Sequence, residues 1–520
     1  MSHQFSLVPQ AEIPRSSFNR SHGYKTTFDA GFLVPMFVDE ALPGDTFNLR
    51  TTGFARLATP LHPFMDNLFM NTFFFAVPKR LLWDNWQKFN GEQENPGDST
   101  DYLVPTMPAP ASTGYTNGSL HDYLGLPTEV ADYSHTALYH RAYNLIWGEW
   151  FRDQNLQNNV PQNRGDGPDD PADYVLLKRG KRHDYFTAAL PWPQKGDSVE
   201  LPLGGTAPVI SAGDGIPLFE LDTTGYSLQH TNATGASAEW DTDPAGIGPD
   251  VAKWDETKLE TDLSAATAAT INQLRQAFQV QKMFERDARS GTRYTEVIKA
   301  HFGVTSPDAR LQRPEYLGGG QTPINVQPIP QTTQTSETIG GTVQGNLAGV
   351  GTAVFNGHGF TKSFTEHCVL IGLVCVRADL NYQQGLNRMF SRSTRFDYYW
   401  PALSHIGEQA VLNKEIMMQN DPADELVFGY QERYAEYRYK PSQVTGQFRS
   451  NFAQTLDTWH LAQDFATLPS LSGQFIEENP PVDRVIAVQD EPHFLYDSYI
   501  NLICARPMPI YGVPGLIDHF

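Results

Sequence analysis

The chain has 520 residues with a net charge of −21, and only 19 % of them are charged against 12 % aromatic. That balance disfavours adhesion to nucleic acid over the whole surface, so any contact with phosphate must come from local basic patches. Three cysteines cannot all pair. With 42 glycines and 37 prolines, the composition points to an all-β or loop-rich protein whose surface is largely covered by neighbours. A secreted monomeric β-protein fits the same figures.

Residues 1–27 are polar and uneven, with Arg15, Arg20 and Lys25 as charges beside Glu12, and read as an arm. No apolar stretch resembling a signal peptide opens the chain, and Val369–Val376 is too short to span a bilayer, so synthesis and folding in a cytoplasm without membrane insertion are expected. From Phe28 to Ala58 extended pieces are broken by Pro35 and a Pro43-Gly44 turn, and Phe47, Leu49 and Thr51 alternate as in a half-buried strand.

The stretch PFMDNLFMNTFFFAVPKRLLWDNWQKFNG follows. Phe69, Phe73, Phe75 and Val77 take one strand parity, and Leu68, Met70, Phe74 and Ala76 the other. A strand apolar on both faces must be covered on both. After Pro78, Leu81, Leu82, Trp83, Trp86 and Phe89 recur at helical spacing up to Gly91. Residues 91–130 are turn-rich, and 135–155 predict a helix with Leu138, Ala142, Leu145, Ile146 and Trp150 on one side.

Composition changes near Gly204. Residues 206–267 hold eleven Asp or Glu against Lys253 and Lys258, a net of −9, and read as a solvent-facing insertion on a separate core, with a disordered linker as the alternative. Ile271, Leu274, Phe278, Met283 and Phe284 predict a helix ending near Gly291, Thr295–Phe302 a shorter one, and Ser306-Pro307 a helix start. Residues 317–335 are expected to be extended and irregular, since their prolines disfavour both helix and central strand. Strands are predicted at 367–380, 434–441, 484–489 and 498–507. Strands so scattered imply a non-local β-fold, a jelly roll with elaborated loops rather than a meander.

Cys368 and Cys375, seven apart on one strand, should face opposite sides and read, with Cys504, as buried free thiols of a reducing compartment. Glycine runs at 318–320 and 357–359 lack the strand-to-helix setting of a phosphate loop. His135 and His140 are five apart, the wrong offset for two metal ligands on one helical face, and Arg164-Gly165-Asp166 is an adhesion tripeptide by spelling alone.

Two basic groupings carry more promise. Lys178, Arg179, Lys181 and Arg182 lie beside Tyr185 and Phe186, while Arg388, Arg392 and Arg395 interleave with Phe390, Phe396, Tyr398, Tyr399 and Trp400. Cations for phosphate with aromatic faces for bases are the chemistry of single-stranded nucleic-acid contact. The alternative is pairing with carboxylates of the same or a neighbouring subunit.

Long runs of the chain resemble the major capsid proteins of gokushoviruses, single-stranded DNA phages of the Microviridae. They include FDAGFLVPMFVDEALPGDTF (28–47), PLHPFMDNLFMNTFFFAVPKRLLWDNW (60–86), LKRGKRHDYFTAALPWPQKG (177–196), LNYQQGLNRMFSRSTRFDYYWPALSHIGEQAVLNKEI (380–416) and CARPMPIYGVPGLIDHF (504–520). Residues 206–267 lie outside the resemblance.

The resemblance implies a mainly β protein: an eight-stranded viral jelly roll with long loop insertions and several short helices, its core drawn from 28–205 and 268–520. It implies self-assembly into a small icosahedral (T=1) virion shell around circular single-stranded DNA, assembled in the bacterial cytoplasm. The partners it implies are other copies of the chain, a scaffolding protein, a small basic DNA-binding protein, a DNA pilot protein and a host-cell receptor. No catalytic residues or cofactor follow from it. By position, 206–267 would form a three-fold protrusion, with Tyr226, His230, Trp240 and Trp254 as candidate host contacts. Arg15, Arg20, Lys25 and the two basic groupings are the candidate genome contacts. A competing class is a carbohydrate-binding or carbohydrate-active β-sandwich, resting on Trp192, Trp240, Trp254 and the Asp241/Asp243 pair. The insertion could also be a sugar-binding module on a capsid.

Overall fold

In the computed structural model the described residues are 14–199, 209–211, 219–221, 252–254, 259–261, 271–291, 294–303, 312–333 and 344–511. The main strands are β1 (Ser16–Asn19), β2 (His22–Phe28), β3 (Val34–Ala41), β4 (Thr46–Leu57), β5 (Leu68–Pro78), β6 (Glu315–Pro330), β7 (Leu347–Ser363), β8 (Cys368–Ala378), β9 (Glu408–Leu412), β10 (Val427–Glu432) and β11 (Phe494–Arg506). Among the described residues, eight of them run β1-β11-β4-β7-β6-β5-β8-β3 in one sheet, and β2 also pairs with β11. Every pairing is antiparallel.

The alternation in β4 and β11 explains the curl. Phe47, Leu49, Ala55 and Leu57 share one face of β4, and Phe494, Tyr496, Ile500 and Leu502 the matching face of β11, all within a single core with inward residues of β3, β5, β7 and β8. Burying that face bends the sheet until β2, paired to β11, comes up against β3. The Tyr24 hydroxyl donates to Pro35 O at 2.9 Å, the Arg20 guanidinium grips Asp39 at 2.5 and 3.0 Å, and the Tyr496 hydroxyl points to Met36 Sδ at 3.1 Å. Side chains, not backbone ladders, thus close the seam of a jelly-roll-like half-barrel.

The double-faced strand behaves as its sequence requires. Leu68, Met70, Phe74 and Ala76 join the inner core, whereas Phe75 and Val77 join a second core outside the sheet with Val369, Ile371, Leu373 and Cys375 of β8. Helix α1 (Leu138–Ile146) covers that outer face with Leu138, Ala142, Leu145 and Ile146, while Trp150 is left more exposed. Cys368 lies in the inner core and Cys375 in the outer one, both free like Cys504.

Several expectations are corrected. Within the 1–27 stretch expected to be an arm, residues 16–19 and 22–27 belong to edge strands β1 and β2, which pair with β11. The proline-rich stretch is strand β6 inside the sheet. Its residues 315–324 pair with β5 and 325–330 with β7, so each half is paired on one side only, and a proline there costs a ladder bond only where its nitrogen faces the paired side. The glycines at 318–320 serve the same strand, since a Cβ at Gly319 would stand 2.0 Å from Thr72 O. Residues 434–441 form no strand, because Tyr434 takes a left-handed φ of 63° before a turn at Ala435–Tyr437. The 484–489 run makes only a bridge between Pro60 and Ile486; Val485 and Ile486 are buried in the inner core as a loop, while Val488 is exposed. The helix expected after Pro78 is broken into a turn at Lys79–Leu81 and one turn at Trp86–Phe89.

The chain divides into two compact units, one of them residues 194–291 with 300–302. That smaller unit contains α2 (Ile271–Arg289), which ends just before Gly291 as expected, and α3 (Tyr294–Phe302) follows at the expected place. Ser306-Pro307 lies outside the described residues. Within 206–267, strand 209–211 pairs with 259–261 and 219–221 with 252–254. These nested ladders bring Val209 and Thr261, near the two ends of the acidic stretch, opposite each other.

Candidate nucleic-acid interface

The first basic grouping runs along the outside of the sheet, held by backbone on both sides. Leu33 N donates to Leu177 O and Arg179 N to Gly31 O, while Lys181 N reaches Ile476 O at 2.7 Å and Glu478 N reaches Arg179 O at 2.8 Å. Gly31 is required there: its φ is +87°, and a Cβ would lie 2.1 Å from Glu478 O.

Alternation along this stretch sends its cations different ways. Lys178 Nζ donates to Asn479 Oδ1 at 2.8 Å and stands 5.0 Å from the Phe32 ring centre. Arg179 lies over Phe73, and its buried Nη1 has no partner among the described residues. Arg182 is exposed and donates to Gln321 Oε1 at 2.8 Å. Lys181 is a correction to the candidate set. It is buried, its Nζ donates to Phe475 O at 2.6 Å, and burial pushes its pKa down against the opposing pull of Glu478 and Asp184. Such an ammonium anchors the 473–478 segment and is not presented to a partner.

The second grouping splits in the same way. Arg388 pairs with Glu415 at 2.9 Å and Arg392 with Glu436 at 3.4 Å, Arg392 also lying 4.2 Å from the Tyr437 ring centre. Glu415 is buried beneath the Tyr185 hydroxyl, and burial raises its pKa in spite of Arg388. For these two arginines the carboxylate alternative is the one observed. Arg395 differs: it is exposed and stacks over Phe396 and Trp400 at 5.1 and 6.0 Å. Phe390, Phe396, Tyr398, Tyr399 and Trp400 all keep half or more of their surface open. The result is an exposed aromatic shelf with the Arg395 guanidinium lying on it, carried on 3-10 turns at Arg388–Phe390 and Arg395–Asp397. Beneath it, the hairpin β9–β10 packs a third core around Val411 and Phe428 with Tyr185, Phe186 and Tyr382.

Among the N-terminal candidates, Arg15 donates to Thr46 Oγ1 at 2.7 Å, and Lys25 faces Asp497 at 3.4 Å with both side chains open to water. Arg20 is committed to Asp39 and the seam. Of the host-contact candidates, Tyr226, His230 and Trp240 lie outside the described residues, as do Asp241 and Asp243, and Trp254 sits opposite Phe219 in the inner ladder of the insertion. Trp192 is half-buried.

Other motifs resolve as scaffolding. Asp166 of the RGD triplet accepts from Trp83 Nε1 at 2.7 Å and Asn85 Nδ2 at 2.9 Å, which is a structural use. Arg141 and Asp169 form a buried bidentate pair at 2.6 and 2.8 Å, with the Tyr174 hydroxyl on the same carboxylate.

A histidine cluster was not legible in the sequence. His121 Nδ1 and His140 Nε2 are 2.9 Å apart, His135 Nε2 meets the Tyr115 hydroxyl at 2.7 Å, and Tyr115 stacks on His121 with centroids 3.9 Å apart. Burial, then the charge of His135, lowers the His121 pKa to about 4; burial also lowers His135 and, well below its ordinary value, His140. Among the described residues, no group of three or more His, Cys, Asp or Glu is arranged to hold a metal ion, and no helix is long and apolar enough to cross a membrane.

Comparison with known proteins completes the picture. The family model described as "Capsid protein (F protein)" matches residues 6–516. The chain is 50 % identical over 534 residues to capsid protein VP1 of Bdellovibrio phage phiMH2K, covering 100 % of this chain and 98 % of the relative. It is 44 % identical over 594 residues to VP1 of Chlamydia phage 1 (99 % and 98 % covered), and 37 % identical over 547 residues to VP1 of Spiroplasma virus 4 (99 % and 97 % covered). These matches overturn the carbohydrate-active alternative, since the family is structural and not enzymatic. A curled antiparallel sheet, a seam closed by side chains and full-length likeness to three phage capsid proteins lead to one conclusion: the chain belongs to the F-protein capsid family of the microviruses, in its gokushovirus branch, and is a virion capsid protein.

Proposed function

We propose that copies of this chain close into a small icosahedral (T=1) shell around circular single-stranded DNA, and that residues 206–267 project outward and take part in attachment to the host. The observation that carries the reading is the full-length correspondence to phage capsid proteins, down to the ends of the matched region at residues 6 and 516. A closed shell needs one protomer to offer several complementary patches, so that heterologous contacts close rather than extend. The aromatic shelf around Trp400 supports this, because exposed apolar area of that extent favours being covered.

Charge sorting supports the orientation. The insertion carries −9 and would repel DNA and other particles, whereas Lys178, Arg179 and Arg182 form a cationic strip suited to genome phosphates. Scaffolding, DNA-binding and pilot proteins and a host receptor belong to the same proposal, resting on the resemblance alone.

Light scattering of the purified protein tests the assembly: megadalton particles are expected, and a 58.1 kDa monomer at every concentration and salt tried would refute it. Deleting 206–267 tests the insertion. Val209 and Thr261, near its ends, stand opposite each other, so a short glycine bridge suffices. Shells that form but attach poorly are expected, and failure to assemble would reassign the segment to subunit contacts.

A further inference from the structure

On the outer face of the sheet, Gln321 of β6 stands opposite Asn71 of β5, and Arg377 of β8 stands opposite Phe69 one row along. The Arg377 guanidinium lies 4.4 Å above the Phe69 ring centre and is 2 % exposed. Its Nη1 reaches Asp379 at 3.2 Å, its Nη2 reaches Gln321 Oε1 at 3.3 Å, and its Nε has no partner among the described residues. Arg182 donates to the same Gln321 oxygen at 2.8 Å. Two guanidinium groups therefore converge on one neutral amide oxygen, where a carboxylate would ordinarily stand. Arg179 adds a third positive charge that presses on Arg377. The carboxylates nearby are less committed: Asp379, which pairs with Arg377 at 3.2 Å, is half open to water, and burial raises the pKa of Glu478 against the pull of Arg179, Lys181 and Arg377.

Gln321 is itself exposed, so its amide can swing aside. The space it leaves would be flanked by two forked donors, the arrangement that matches a tetrahedral oxyanion. We propose that Arg182 and Arg377, with Gln321 as a displaceable placeholder, form a seat for one phosphate group of the packaged nucleic-acid backbone. This rests on the genome-contact reading and adds to it Arg377 and Gln321, neither of which belongs to a basic run in the sequence. Free phosphate shares the chemistry; the adjacent cations Lys178 and Arg179 on the same strip favour a polyanion.

The test uses the full-length protein with Gln321→Glu and Arg182→Ala. Gln321→Glu places an internal carboxylate between the two guanidinium groups, so it should keep or raise the melting temperature while excluding an outside anion. The probes are a twelve-residue oligothymidylate and inorganic phosphate, titrated at several salt concentrations. Expected is a loss of about tenfold or more in oligonucleotide affinity for both variants, with the salt slope smaller by roughly 0.7, the value for one single-strand phosphate contact. Wild-type affinity and slope in Gln321→Glu would overturn the seat. So would phosphate binding lost in the variants with oligonucleotide binding intact, which would make it a free-phosphate site. If the wild-type protein bound no oligonucleotide even at low salt, the genome-contact reading would itself fail.

Discussion

Acid should loosen the protein through His121, His135 and His140. Burial holds these imidazoles neutral, and His121 is pushed down from 6.5 to about 4. Between those values the unfolded chain binds a proton that the folded one refuses. The stabilisation is therefore complete above about pH 6.5 and drains as pH falls toward 4. One proton is worth about 1.4 kcal/mol per pH unit, so His121 alone contributes roughly 3 kcal/mol across that window. His135 and His140 shift in the same direction and add to it.

The geometry says why the charge is refused. His121 also hydrogen-bonds the Pro171 carbonyl, so its Nδ1 must accept from His140 Nε2, which leaves His140 Nδ1 buried with no partner among the described residues. His135 Nδ1 donates to Thr136 O and its Nε2 accepts from Tyr115. The other groups around the cluster include Tyr133, Tyr174 and the Arg141–Asp169 pair, with Asp132 and Asp170 lining the same cavity as Tyr115 and His121, and the carboxylate held in a buried pair there is committed to Arg141. Urea denaturation at pH 7, 6, 5 and 4.5 should show stability falling across this range. His121→Gln, which keeps a donor and an acceptor but cannot titrate there, should flatten the slope by close to one proton. A wild-type stability level from pH 7 to 5, or an unchanged slope in His121→Gln, would refute the reasoning.

Two further outcomes are expected. Asp169→Asn strands the 2 %-exposed Arg141 guanidinium and should cost about 3–5 kcal/mol in chemical denaturation, whereas replacing both partners by apolar residues of similar volume should cost less. Phe75→Ala, on the outer face of β5 against Phe151 and Tyr316, should cost about 3–5 kcal/mol, while Leu495→Ala on the open face of β11 should stay within about 0.5 kcal/mol; equal effects would mean the two faces are not differently covered.

Much of this was legible in the chain itself, because burial writes its period locally. The apolar parity of Leu68–Val77 foretold a strand covered on both sides, the alternation at Phe47–Thr51 a half-buried one, and the opposite placement of Cys368 and Cys375 followed from strand geometry alone. The limits of α2 were equally local. Candidate cations were visible too, but their fates were not. Lys181 and Arg182 are neighbours in sequence, yet one is sealed against Phe475 O and the other open beside Gln321.

What only the tertiary structure decided is which distant pieces meet. The order of the sheet joins β11 to β4 and to β1 and β2, segments at opposite ends of the chain, and no periodicity encodes a partner. The switch of β6 from β5 to β7 turned a proline-rich stretch into a strand, because a proline costs a ladder bond only where a neighbour stands ready to accept one. The histidine cluster and the Arg182–Gln321–Arg377 corner arise in the same way, from side chains far apart in sequence that share a face only after the sheet has curled.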